Sequence, residues 1–89
     1  MAHTVSAKKR IRQNVARRAR NRWRLRSMRV AIKDFQAAVA SGDVSQATEA
    51  MRSASKVVDK IAQKGVIHRN QAARRKSRMS ARVKALKAG

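Results

Sequence analysis

Half of the residues between Lys8 and Arg29 are basic, and none is acidic. They are Lys8, Lys9, Arg10, Arg12, Arg17, Arg18, Arg20, Arg22, Arg24, Arg26 and Arg29. A second basic group follows near the end of the chain: Arg69, Arg74, Arg75, Lys76, Arg78 and Arg82. Arginine outnumbers lysine fifteen to nine. A guanidinium offers two parallel N–H donors to a phosphate and a flat face to a base, whereas an ammonium acts as a point charge. Residues of these types, this dense, neutralise and grip a polyanion; they do not make or break bonds.

The parts needed for catalysis are missing. The only carboxylates are Asp34, Asp43, Glu49 and Asp59, spread thinly and better placed as a cap and surface partners. The two histidines, His3 and His68, have no neighbours with metal-ligand spacing, so no metal site is expected. There is no cysteine, no glycine-rich phosphate loop and no nucleophile beside a base. An enzyme, a cofactor and a small-molecule substrate are therefore not expected.

The charge is unevenly placed. Of the net +20, residues 1–29 carry +11, residues 30–67 carry +1 and residues 68–89 carry +8. Two basic ends flank a nearly neutral middle. Such ends repel each other in water and gain by meeting phosphate. Nucleic acid is the first partner this balance implies, and an anionic membrane the second. No apolar run exceeds the four residues Ala37 to Ala40, which argues against a membrane span or a secretory leader; the default expectation is a cytoplasmic protein.

The elements that must hold these residues read as helices. Proline is absent, and Ala, Arg, Lys, Gln and Met dominate, all good helix formers. Leu25, Met28, Ile32, Phe35 and Val39 step by 3, 4, 3 and 4 residues, placing them on one stripe roughly 80° wide at 100° per residue. The basic residues before them point nearly everywhere else around the same axis. One helix over about 6–40 is expected, with Ser6 as its N-cap and residues 1–5 as a loose tail. Gly42 ends it, and Asp43 with Gln46 matches the ends of a capping box for a second helix over about 44–64. There Ala47, Met51, Ala54, Val58 and Ile61 form the apolar stripe, with Val57 beside it. Arg52, Lys56, Lys60 and Lys64 lie opposite, with Glu49 and Asp59 three residues from one or another of them. That opposite face is expected to be a solvated, salt-bridged surface. Gly65 ends the second helix, and Val66 and Ile67 staple into a third over about 67–87, whose apolar side is Ala72, Met79, Val83 and Leu86, with Lys76 close by.

Short turns make successive helices antiparallel neighbours. The expected fold class is all-α: a single domain over 1–89, a three-helix bundle with a long, basic, projecting N-terminal helix. Trp23, the only tryptophan, is expected to anchor the core or its rim; its other possible use is stacking on a base or sugar. With about twelve sizeable apolar side chains for a core, the free bundle is expected to be marginal and to be stabilised by its partner.

Two stretches carry a resemblance. SAKKR at Ser6 to Arg10 and KGVIHRNQAARRKSRM from Lys64 to Met79 resemble the bacterial small-subunit ribosomal protein S-twenty family. That family begins its basic helix with S-A-K-K-R and opens its third helix with K-G-[IV]-[IL]-H-[KR]-N-x-A-A-R-x-K. The resemblance extends over the whole chain in length and helical plan, and the second motif is the specific one. It implies a three-helix bundle without catalytic role, binding 16S ribosomal RNA directly at the 5′ domain and the penultimate stem. It implies ribosome-bound localisation and a part in assembly of the small subunit. By motif match Ser6, Lys8, Lys9, Arg10, Lys64, His68, Arg69, Asn70, Arg74 and Lys76 become RNA contacts. His68 has a second reading, as a cap of the third helix. Arg12, Arg17, Arg18, Arg20, Arg22, Arg24, Arg26, Arg29, Arg75 and Arg78 join them through charge and placement.

Two other readings compete. An architectural DNA protein would also be basic, but charge on so many faces suits enclosure by folded RNA better than lying along a duplex. A membrane-active helix needs an apolar face, and Lys8 to Arg22 offers only Ile11, Val15 and alanines.

Overall fold

A computed structural model describes residues 4–89. Among the described residues the chain is all-α, with three helices: α1 (Val5–Ala40), α2 (Val44–Gln63) and α3 (Arg69–Ala88). The first three residues of the expected tail, and with them His3, lie outside the described residues.

The start of α1 corrects the expected cap. Thr4, not Ser6, is the N-cap: its backbone is extended and its Oγ1 accepts the Ala7 N–H at 3.2 Å. Ser6 falls inside the first turn, its hydroxyl 3.4 Å from that of Thr4. Both residues can cap, and use of the earlier one adds Val5 and Ser6 to the helix.

The two turns are closed by local bonds that use positive-φ glycines. Gly65 sits at φ 77, donating to the Ala62 carbonyl at 3.0 Å while Val66 donates to Ile61 at 3.2 Å. This is the paired-bond Schellman ending. Gly42, at φ 80, donates to Val39, but the second bond is replaced. There the Ser41 hydroxyl donates to the Ala38 carbonyl at 2.6 Å and accepts the Asp43 N–H at 3.4 Å. Asp43 caps α2 as expected, with Oδ1 accepting the Ser45 and Gln46 amides at 2.9 and 3.2 Å. Because Ser41 takes the Asp43 amide, only the carboxylate half of the expected capping box is present.

Packing is strung along α2. Both α1 and α3 lie against it and barely meet each other. One cluster, near the α2–α3 turn, joins Met28, Val58, Ile61, Ile67 and Ala72. Ile67 and Ala72, just before the cap and four residues after it, share that cluster as a hydrophobic staple. The other cluster, toward the α1–α2 turn, joins Phe35, Ala47, Ala54, Met79 and Val83. Ala47 and Ala54 are fully buried, and their small size leaves room for Phe35 and Met79 from either side. The seams expected on all three helices are thus the ones that pack.

Trp23 does not follow them. It is 69% exposed and belongs to neither cluster. Though only two residues from Leu25 in sequence, it lies about 160° round the helix from it.

The body ends where α2 ends, at the level of Trp23 and Leu25. Every residue from Lys8 to Arg20 is exposed. The molecule measures 63 × 21 × 15 Å, with a radius of gyration of 17.7 Å. A compact chain of this length would have about 12 Å. The basic half of α1 is a shaft standing clear of the bundle. No helix among the described residues is long and apolar enough to cross a membrane.

Candidate nucleic-acid interface

Most of the expected basic residues fall into three places. Lys8, Lys9, Arg10, Arg12, Arg17, Arg18 and Arg20 are all exposed on the shaft, and Ser6 stands exposed at its tip. Helix rise puts Lys9 about 22 Å from Arg24 along the axis. The tip is therefore remote from the remaining candidates.

The second place is the root of the shaft. Antiparallel packing brings the α2–α3 turn to the end of the body from which the shaft emerges. Arg24 of α1 and Lys60 and Lys64 of α2 line one cleft there, with Trp23. His68 and Arg69 lie on the turn itself, lining a shallow hollow with Gly65. His68 is the N-cap of α3: its Nδ1 accepts the Asn70 N–H at 3.0 Å. That bond places the proton of the neutral ring on Nε2, where it can be donated outward. Capping therefore occupies one ring nitrogen and leaves the other, as an N–H, outside the cap.

The third place is the groove between α1 and α3, which barely meet. Arg26, Arg29 and Lys33 stand on its α1 side, and Arg75, Arg78 and Arg82 on its α3 side. Ile32, Phe35 and Met79 contribute its apolar lining. Arg75 has its Nε buried without a hydrogen-bond partner among the described residues. Arg82 was not among the expected contacts. Its guanidinium carbon lies 5.9 Å from the centre of the Phe35 ring, so the ring holds the charge at the groove. The spacing of Arg75, Arg78 and Arg82, in steps of three and four, was the available signal. Arg74 is exposed on α3, outside the groove lining.

Two charges behave differently from expectation. Lys76 pairs with Asp59 of α2, Nζ to Oδ1 at 2.8 Å. It is the only ion pair among the described residues, so the expected pairs within α2 are not formed. Lys76 is thereby tied to α2 by a part-exposed ion pair, unlike the other cations among the described residues. Elsewhere the cations of the interface have no carboxylate within ion-pair distance among the described residues.

An all-α scaffold that buries one face and presents three sets of cations without ion-pair partners among the described residues has the surface expected of a structural, polyanion-facing protein. Comparison with known proteins narrows the class. The family description for ribosomal protein S20 matches residues 2–84. The chain is 53% identical over 86 residues to the small ribosomal subunit protein bS20 of Bordetella avium, covering 97% of this chain and 99% of that one. It is 54% identical over 87 residues to the protein of the same name from Acinetobacter baumannii, covering 97% and 98%. With that of Nitrosomonas europaea the identity is 49% over 86 residues, covering 97% and 99%. The chain belongs to the ribosomal protein S20 family. It is a ribosomal protein and not an enzyme.

Proposed function

We infer that this chain is a structural component of the small ribosomal subunit that binds 16S ribosomal RNA directly and stabilises the subunit as it assembles. The observation that carries this is the shaft: a helix exposed at every residue from Lys8 to Arg20, cationic on most sides and free of acids. A lone helix of this kind has nothing in the protein to pack against. RNA segments approaching from several sides supply both counter-charge and enclosure. The bundle aims the shaft, and the root and the α1–α3 groove extend the contact onto the body. The 5′ domain and the penultimate stem are the segments the family resemblance implies. The protein is then cytoplasmic and ribosome-bound, with no membrane partner.

The test is a salt titration of binding to a refolded 16S transcript, with duplex DNA as competitor. If about eight phosphates are neutralised, log affinity falls by roughly 6–7 per log unit of salt. Replacing Arg17, Arg18, Arg20 and Arg22 together by glutamine should make that slope shallower by about 3. A slope near zero, or equal competition by duplex DNA, would overturn the reading.

A further inference from the structure

We propose that Trp23 stacks on a single unpaired base of the bound RNA, at the root of the shaft. This rests on the RNA-binding reading above and names a contact within it. Trp23 is the most exposed aromatic side chain of the protein, and the only other aromatic, Phe35, is buried. An indole left 69% in water on a helix this polar contributes little to the fold.

Its surroundings favour a base over other occupants. On the α2 side the indole walls a cleft of about 260 Å³, together with Arg24, Val57, Lys60, Ile61 and Lys64. Val57 and Ile61 give the cleft an apolar surface that suits the flat face of a base. Arg24, Lys60 and Lys64 surround it with three cations and no acid, complementary to the phosphates on either side of that base. The hollow on the other side of the indole holds one cation and one acid, Arg26 and Asp34, whose charges offset, against three cations and no acid on the α2 side. The strand is therefore drawn to the α2 side. One aromatic holds one base, so the ligand is a nucleotide extruded from folded RNA, not an extended single strand. Stacking is blind to base identity, so the site reads the position of an unpaired nucleotide and not its sequence.

The sole tryptophan reports on itself. The intact chain is titrated with refolded 16S transcript while indole emission, acrylamide access and affinity are followed. Binding should quench the emission. Trp23→Ala should weaken binding by about 5- to 150-fold, the range expected for one stacked base, with helical content unchanged. Trp23→Phe should recover part of the loss. If the wild-type chain fails to bind the transcript, the RNA reading itself falls and this contact with it. If it binds with emission unchanged, or gains acrylamide protection without quenching, the indole is uncovered or covered by something other than a base. Either result overturns the stacking proposal alone, as does a Trp23→Ala chain that binds as tightly as wild type.

Discussion

The two halves of α1 are one uninterrupted helix under two different regimes. From Leu25 onward its stability comes from burial, with Met28 and Phe35 nearly inaccessible to water. From Lys8 to Arg20 it is exposed throughout, without tertiary cover among the described residues, and its helicity rests on intrinsic propensity against the mutual repulsion of its charges. Its first turn carries no acid, and Lys8, Lys9 and Arg10 follow beside the positive end of the helix dipole. Everything local to that end favours an arriving anion. The bundle is thus a mount and the shaft a probe. The absence of a break between them means that the direction of the probe is set by the packing of the mount.

The largest effect should come from the mount. Phe35→Ala removes the biggest fully buried side chain and should cost about 3–5 kcal/mol. In a bundle this small that is expected to abolish a cooperative melt. Ile11→Ala on the shaft, where the side chain is 51% exposed, should change stability by less than about 0.5 kcal/mol. Thermal denaturation followed by circular dichroism checks both. Equal losses would break the distinction between the two halves.

Hydrogen exchange sharpens the same contrast on one helix. Amides from Arg12 to Arg22 should exchange with little protection in the free chain, while those of Val58 and Ile61 in α2 exchange only through global opening. Addition of the 16S transcript should bring the shaft amides up toward the protection of α2, because a ligand that binds only the ordered shaft stabilises it. Strong protection of Arg12 to Arg22 without RNA would show a shaft stable by itself.

Where packing decides, the sequence was readable. The steps of three and four at Leu25, Met28, Ile32, Phe35 and Val39 named the buried stripe because burial is periodic and the helix has a fixed period. Gly42 and Gly65 named the turns because both take the positive φ that other residues avoid. The start of α1 was less legible, since Thr4 and Ser6 offer the same hydroxyl chemistry. Trp23 was misread because distance along the chain stood in for angle around the axis. The Lys76–Asp59 pair joins residues seventeen apart on different helices, and neither local spacing nor composition encodes it. The α1–α3 groove was unseen for a related reason: it is a gap between helices, fixed by how both lie on α2. The site residues taken from charge and motif were found exposed for the most part, but which of them share a surface required the fold.

The finest test concerns Lys76, where mount and probe could be confused. It belongs to the motif that the family resemblance ties to RNA, yet its ammonium meets Asp59. With the two side chains 38% and 55% exposed, water screens the pair, and its contribution to stability is at most about 1 kcal/mol. Lys76→Gln should therefore lower the melting point slightly, and Asp59→Asn by a similar amount, with the double variant no worse than either single one. Binding to the transcript separates the roles. If Lys76 serves the bundle, Lys76→Gln leaves the salt slope unchanged, whereas Lys64→Gln reduces it by a little under one. If Lys76 instead leaves Asp59 for a phosphate, Asp59→Asn frees it and tightens binding, while Lys76→Gln lowers the slope as Lys64→Gln does. The geometry favours the first outcome, because Lys76 lies between the buried Ala72 and Met79 along the face of α3 that packs on α2, where its ammonium already has a carboxylate.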